Sequence, residues 1–150
     1  MKRFVLDNSV AMRWLLASHN KTDQQYAESV LQCLIDSEAL VPHLWHLEAA
    51  NVLLSAEKQQ QLDISEVERF ISQLENLPIQ LDSLTARQAF NRTLSLSRAY
   101  KLSSYDGAYL ELAIREGLPL ATLDKDLKKA ATQADVSIYK PAATSTQLSI

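Results

Sequence analysis

Two short apolar runs of this chain stop at an aspartate: "FVLDNS" (4–9) ends at Asp7, and "PLATLDKD" (119–126) ends at Asp124. Two more acids interrupt what would otherwise be apolar helix stripes. In "PHLWHLEAANVLL" (42–54), Glu48 shares one helical row with Leu44 and Val52. In "SSYDGAYLELAIREG" (103–117), Asp106 stands in the same relation to Tyr109, Leu110 and Ala113, with Ser103 or Ser104 the better helix cap. A buried carboxylate without a partner is costly, so each of these acids needs a cation, a donor or water. The plainer alternatives are that Asp7 and Asp124 are helix N-caps, and that the two stripes simply meet solvent at Glu48 and Asp106.

If the four acids converge, two carboxylates ~5 Å apart at an effective dielectric of ~20 repel by roughly 3 kcal/mol. Cations would then have to neutralise them. A ligand set of hard oxygens, without thiolate or imidazole, selects Mg²⁺ or Mn²⁺ rather than zinc. Such an ion lowers the pKa of a water and stabilises charge on a phosphoryl oxygen, which is the chemistry of phosphodiester hydrolysis.

The elements that must position these acids alternate short β-like runs with helical patterns. Strands are expected near 3–6, 38–41, 79–81, 119–123 and 136–139. Helices are expected near 9–18, 23–36, 43–60, 65–76, 83–100, 104–116 and 124–133. Ser65 with Glu68 reads as a capping box, Asp82 or Ser83 as the cap after Leu81, and Gly117 followed by Pro119 as a helix stop. Strands separated by helices imply an α/β fold, with a parallel sheet covered on both faces. In such sheets ligands bind beyond the carboxyl ends of the strands, where Asp7 and Asp124 fall. Gly107 leaves room for something to approach the backbone beside Asp106.

Composition narrows the class. The 150 residues predict one domain with a sizeable core, and 47% hydrophobic with 22% charged residues is ordinary for a globular fold. A net charge of −3 and a pI near 5.6 argue against charge-driven coating of nucleic acid. The single Cys33 rules out an internal disulfide framework, fits a reducing compartment and reads as a core residue. The start "MKRFVLDN" lacks the long apolar run of a signal peptide, and no window reaches a membrane span, so a cytoplasmic protein is expected. The stretch 141–150 reads as a Ser/Thr-rich tail, loose or ordered by a partner, after a domain spanning 1–140.

"FVLDNSVAMRWLL", "HLWHLEAANVL", "LSSYDGAYLELA" and "LATLDKDLKKAA" together resemble the four acidic motifs of PIN-domain nucleases, in particular the VapC-like toxins of toxin–antitoxin modules. The resemblance implies a three-layer α/β/α sandwich with a short, mostly parallel central sheet. It makes Asp7, Glu48, Asp106 and Asp124 the metal-site and catalytic acids, with Ser9 and Thr122 as supporting hydroxyls. Its Thr-x-Asp spacing favours Asp124 over Asp126 as the fourth acid and leaves Asp126 auxiliary. It further implies a Mg²⁺- or Mn²⁺-dependent endoribonuclease, a homodimer, and an antitoxin that covers the active-site groove.

Arg13, one turn after Asp7, is a candidate contact for the RNA backbone; Arg98, Lys101, Lys125, Lys128 and Lys129 are others. Trp14 and Trp45 could stack on bases, but their spacing among Leu and Val reads as core. His43 and His46 lack the spacing of a zinc-protease helix, and two glycines allow neither a P-loop nor a dinucleotide fingerprint. The alternatives left open are a non-catalytic RNA-binding or protein-interaction module of the same fold, and a nuclease of RNA processing without an antitoxin.

Overall fold

The computed structural model describes residues 2–142, so the expected tail falls almost wholly outside the described residues. A parallel four-stranded sheet forms the centre. In chain order its strands are β1 (Lys2–Leu6), β2 (Ser37–Val41), β3 (Ile79–Leu81) and β4 (Leu120–Ala121), and in space they run β3-β2-β1-β4. Between them lie helices α1 (Asn8–Ala11), α2 (Lys21–Cys33), α3 (Trp45–Lys58), α4 (Ile64–Glu75), α5 (Thr85–Gln88), α6 (Leu94–Tyr100) and α7 (Ser104–Glu116), with α8 (Lys125–Gln133) after β4. Helices flanking a parallel sheet give the expected α/β/α architecture.

The strands form because their side chains are apolar on both faces. Phe4, Val5 and Leu6 of β1 and Leu40 and Val41 of β2 are buried, packed with Tyr109, Leu110 and Leu112 of α7. Each such Leu or Phe contributes about 1.5–3 kcal/mol by leaving water. Trp45 is buried in the same core, and Trp14 packs against it while its indole donates to the Ala27 carbonyl at 2.8 Å, so both tryptophans are structural. Cys33 is likewise buried.

Several boundaries differ from the sequence expectation. The strand expected at 136–139 is reduced to one parallel bridge, Leu120 to Ile138, because β4 is only two residues long. The helix expected near 9–18 ends early, in the 3-10 turn Met12–Trp14. The long helix expected at 83–100 is interrupted by a π-helical turn, Ala89–Thr93, joining α5 to α6. The capping box of α4 is formed by Asp63 and Glu66 rather than Ser65 and Glu68, so the helix starts one step earlier. Gly117 ends α7 in the left-handed conformation, φ 63°, as expected.

Asp82 is the third aspartate that closes a strand. Its carboxylate receives Arg115 of α7 at 2.8 and 3.1 Å and the Leu84 amide at 3.3 Å. Arg115 also reaches Glu111, at 2.8 and 3.1 Å. The hydrogen bonds to Glu111 and then Asp82 push the proton affinity of the guanidinium up. This nearly buried triad ties α7 to the end of β3 and fixes the helix that carries Asp106.

Candidate active site

Asp7 follows directly on β1 and precedes α1, yet its side chain caps no helix amide in the usual N-cap fashion. Instead Asp7 Oδ2 accepts hydrogen bonds from Ser9 Oγ (2.6 Å) and Thr122 Oγ1 (2.8 Å). The two hydroxyls stand 3.2 Å apart. They also serve the segment that follows β4: Ser9 Oγ accepts from the Leu123 amide at 2.9 Å, and Thr122 Oγ1 from the Asp124 amide at 3.1 Å. The two Asp-terminated strands are thus stitched together by the hydroxyls singled out from sequence.

Asp124 does cap α8, through Oδ1 and the Leu127 amide at 2.9 Å. Ser103 caps α7 by accepting from the Asp106 amide at 3.1 Å, which leaves the Asp106 carboxylate unspent in the first turn. Glu48 lies in the first turn of α3, half-buried, with Oε1 accepting from Tyr109 Oη at 2.5 Å. That tyrosine, wholly buried, had been readable only as part of an apolar stripe. Asn8 is the other unforeseen member: its amide donates to the Trp45 carbonyl at 2.8 Å and favours the charged form of Glu48.

The acids act on one another. Burial, followed by the charges of Asp124, Asp7, Glu48 and Asp126, pushes the Asp106 pKa up to about 6. Burial raises the Asp7 pKa; the Ser9 and Thr122 hydrogen bonds oppose this, and Asp124 adds to it. Burial also raises that of Glu48, against the Tyr109 hydrogen bond and with the charge of Asp7. The acids picked out from sequence therefore share one electrostatic neighbourhood at the carboxyl end of the sheet. Arg13 lies in the 3-10 turn and donates no hydrogen bond to any of them.

The donor chemistry fits a hard divalent cation. Asp124 Oδ2 and both Asp106 oxygens accept no hydrogen bond from the described side chains. Yet among the described residues no group of three His, Cys, Asp or Glu side chains forms a ready-made cage. Such a set suits an ion that keeps several of its waters and touches one or two carboxylates, as Mg²⁺ does.

The family profile described as "PIN domain" matches residues 4–133, from the middle of β1 to the last residue of α8. The chain belongs to the PIN-domain family. Solved structures share its fold. PAE2754 from Pyrobaculum aerophilum is 20% identical over 86% of this chain and 79% of that one, with a TM-score of 0.60. FitAcB from Neisseria gonorrhoeae is 20% identical over 92% and 97%, with a TM-score of 0.56. No curated protein matches this PIN domain in sequence. No helix among the described residues is long and apolar enough to cross a membrane.

Proposed function

We propose that this PIN domain is a metal-dependent endoribonuclease and the toxin of a toxin–antitoxin pair. The observation that carries the nuclease reading is the convergence of charge on Asp106, whose proton affinity is raised first by burial and then by Asp124, Asp7, Glu48 and Asp126 together. A fold that needed these residues only as caps and surface charges would gain nothing from crowding them.

In this reading Asp7, Asp106 and Glu48 would hold a Mg²⁺ or Mn²⁺ ion, directly or through its waters, and Asp124 would complete the site. When bound, the ion supplies charge stabilisation at a phosphoryl oxygen and acidifies a water. Ser9 and Thr122 keep Asp7 charged and aimed, and Tyr109 does the same for Glu48. Asp126 is auxiliary, at the outer edge, and Arg13 is a candidate contact for the RNA backbone. The products expected by analogy with metal nucleases carry 5′-phosphate and 3′-hydroxyl ends. The four-motif resemblance to VapC-like toxins supports the rest: action in the cytoplasm, an antitoxin covering the acid-lined cleft, and a homodimer. Exposed Leu47 and Phe90 are apolar surface available for such contacts.

The test is incubation of the purified protein with a panel of structured RNAs, tRNAs included, in Mg²⁺, Mn²⁺ or EDTA. Cleavage should require the metal and fall roughly 100-fold or more in Asp7→Asn and Asp106→Asn, equivalent to about 3 kcal/mol. RNA bound but never cut by the folded, metal-loaded protein would make it a binding module. Cleavage that survives both substitutions would put the chemistry elsewhere.

A further inference from the structure

Beside the acid cluster the end of α6 and one row of α8 enclose a polar cleft of about 340 Å³. On the α8 side it is lined by Asp126, Lys129, Ala130 and Gln133, which helical spacing places on one face. On the α6 side it is lined by Ala99, Tyr100 and Lys101. The two alanines leave the space open. We propose that this cleft is a phosphate-binding subsite for the RNA strand, with Lys101 and Lys129 as its cations. The proposal rests on the endoribonuclease reading and adds where the strand runs.

Three observations carry it. Both lysines are exposed, and among the described residues neither side chain has a hydrogen bond or an ion pair, whereas Arg3 and Arg115 are each held by acids. Asp126 is a wall of this cleft and also one of the charges that act on Asp106, so the cleft adjoins the acid cluster. A strand whose scissile phosphate lies at the acids carries a neighbouring phosphate past Asp126, and there two cations face one carboxylate. Finally, Lys101 ends α6 in the left-handed conformation, φ 57°. The equivalent position after α7 is Gly117, φ 63°, which adopts that conformation without strain. A lysine there is strained relative to glycine, and what it retains is a charge that glycine cannot supply.

The test measures binding rather than turnover. A labelled single-stranded oligoribonucleotide is titrated by fluorescence anisotropy into the cleavage-deficient Asp7→Asn/Asp106→Asn protein, at constant Mg²⁺ and several salt concentrations. Lys101→Gln and Lys129→Gln should each weaken binding several-fold and flatten the log K against log[salt] slope by about 0.7, the share of one phosphate contact on a single strand. Lys125→Gln and Lys128→Gln, as close to Asp124 in sequence but outside the cleft, should change the slope less. Lys101→Gly should raise the melting temperature while lowering RNA affinity, which a lysine serving only the helix end would not do. If the cleft lysines alter the slope no more than Lys125 and Lys128, the subsite is refuted while the nuclease reading stands. If no variant binds any RNA of the panel, the nuclease reading falls and the subsite with it.

Discussion

At the scale of single residues, what separates the candidate catalytic acids from ordinary capping acids is where their oxygens are spent. Asp82, Asp7 and Asp124 all end apolar strands, and the sequence around each looks alike. Asp82 gives both oxygens to Arg115 and belongs to the scaffold. Asp124 gives one oxygen to its helix, and Asp7 gives one to two hydroxyls. Glu48 gives one to Tyr109 and is thereby held in a single orientation. Tyr109→Phe should leave the fold intact and weaken Mn²⁺ or Mg²⁺ binding by about 10-fold, the usual scale for loss of a group that orients a metal ligand. Activity should recover when metal is raised to saturation. A metal titration followed by calorimetry checks this, and unchanged affinity would reduce Tyr109 to a packing residue. The four acids were legible in the sequence because each broke a pattern that needed a reason. Tyr109 was not, since an aromatic at helical spacing reads as core, and its hydroxyl partner lies on a helix far away in the chain.

At the scale of elements, the packing of α6 on α7 sets where Asp106 sits. Gly107 follows it immediately, and a Cβ there would overlap Ser97 Oγ and press on the Thr93 carbonyl at 3.3 Å. What approaches the backbone beside Asp106 is therefore the serine of the neighbouring helix, which donates to Thr93 O at 2.7 Å. Gly107→Ala should destabilise the protein by about 1–3 kcal/mol, the cost of overpacking a tight contact. Ser97→Ala in the same chain should recover part of that loss, because it removes the overlapping atom. Urea unfolding of the two single variants and the double variant measures the coupling, and strictly additive effects would show that the two residues do not meet. The long helix expected at 83–100 hid this contact. Its π-helical turn at 89–93 has no mark in residue propensities, and α5, the turn and α6 all pack against α7. The missing fifth strand has a similar origin, since 136–139 carries a strand-like pattern but meets a partner only two residues long.

At the scale of the whole molecule, the acid cluster sets stability against function, and pH reveals the conflict. The Asp106 carboxyl has a pKa of about 6 in the folded chain against 3.8 for the free group. Between those values the folded protein holds a proton that the unfolded chain has released, so stability falls as pH rises, and above about 6 the whole penalty is present. At about 1.4 kcal/mol per pH unit the interval from 3.8 to about 6 gives roughly 3 kcal/mol. Asp106 is only half-buried, and solvent screening reduces that to about 1–2 kcal/mol. Burial and like charge move Asp7 and Glu48 in the same direction. Less than half of that interval lies above pH 5, so in EDTA Asp106 alone should make the protein melt about 1–4 °C higher at pH 5 than at pH 7.5, at about 2–4 °C per kcal/mol for a domain of this size. Asp106→Asn should raise the pH 7.5 melting temperature in EDTA and flatten the pH dependence, while abolishing cleavage. Mg²⁺ at 100 times its dissociation constant should restore about 2.7 kcal/mol to the native protein at pH 7.5 and much less to the variant. Thermal melts across this grid of pH and metal decide the matter. A native protein whose metal-free stability is indifferent to pH, or an Asp106→Asn variant no more stable than the native chain without metal, would mean the acids do not crowd one another, and the case for a shared metal would lose its physical basis.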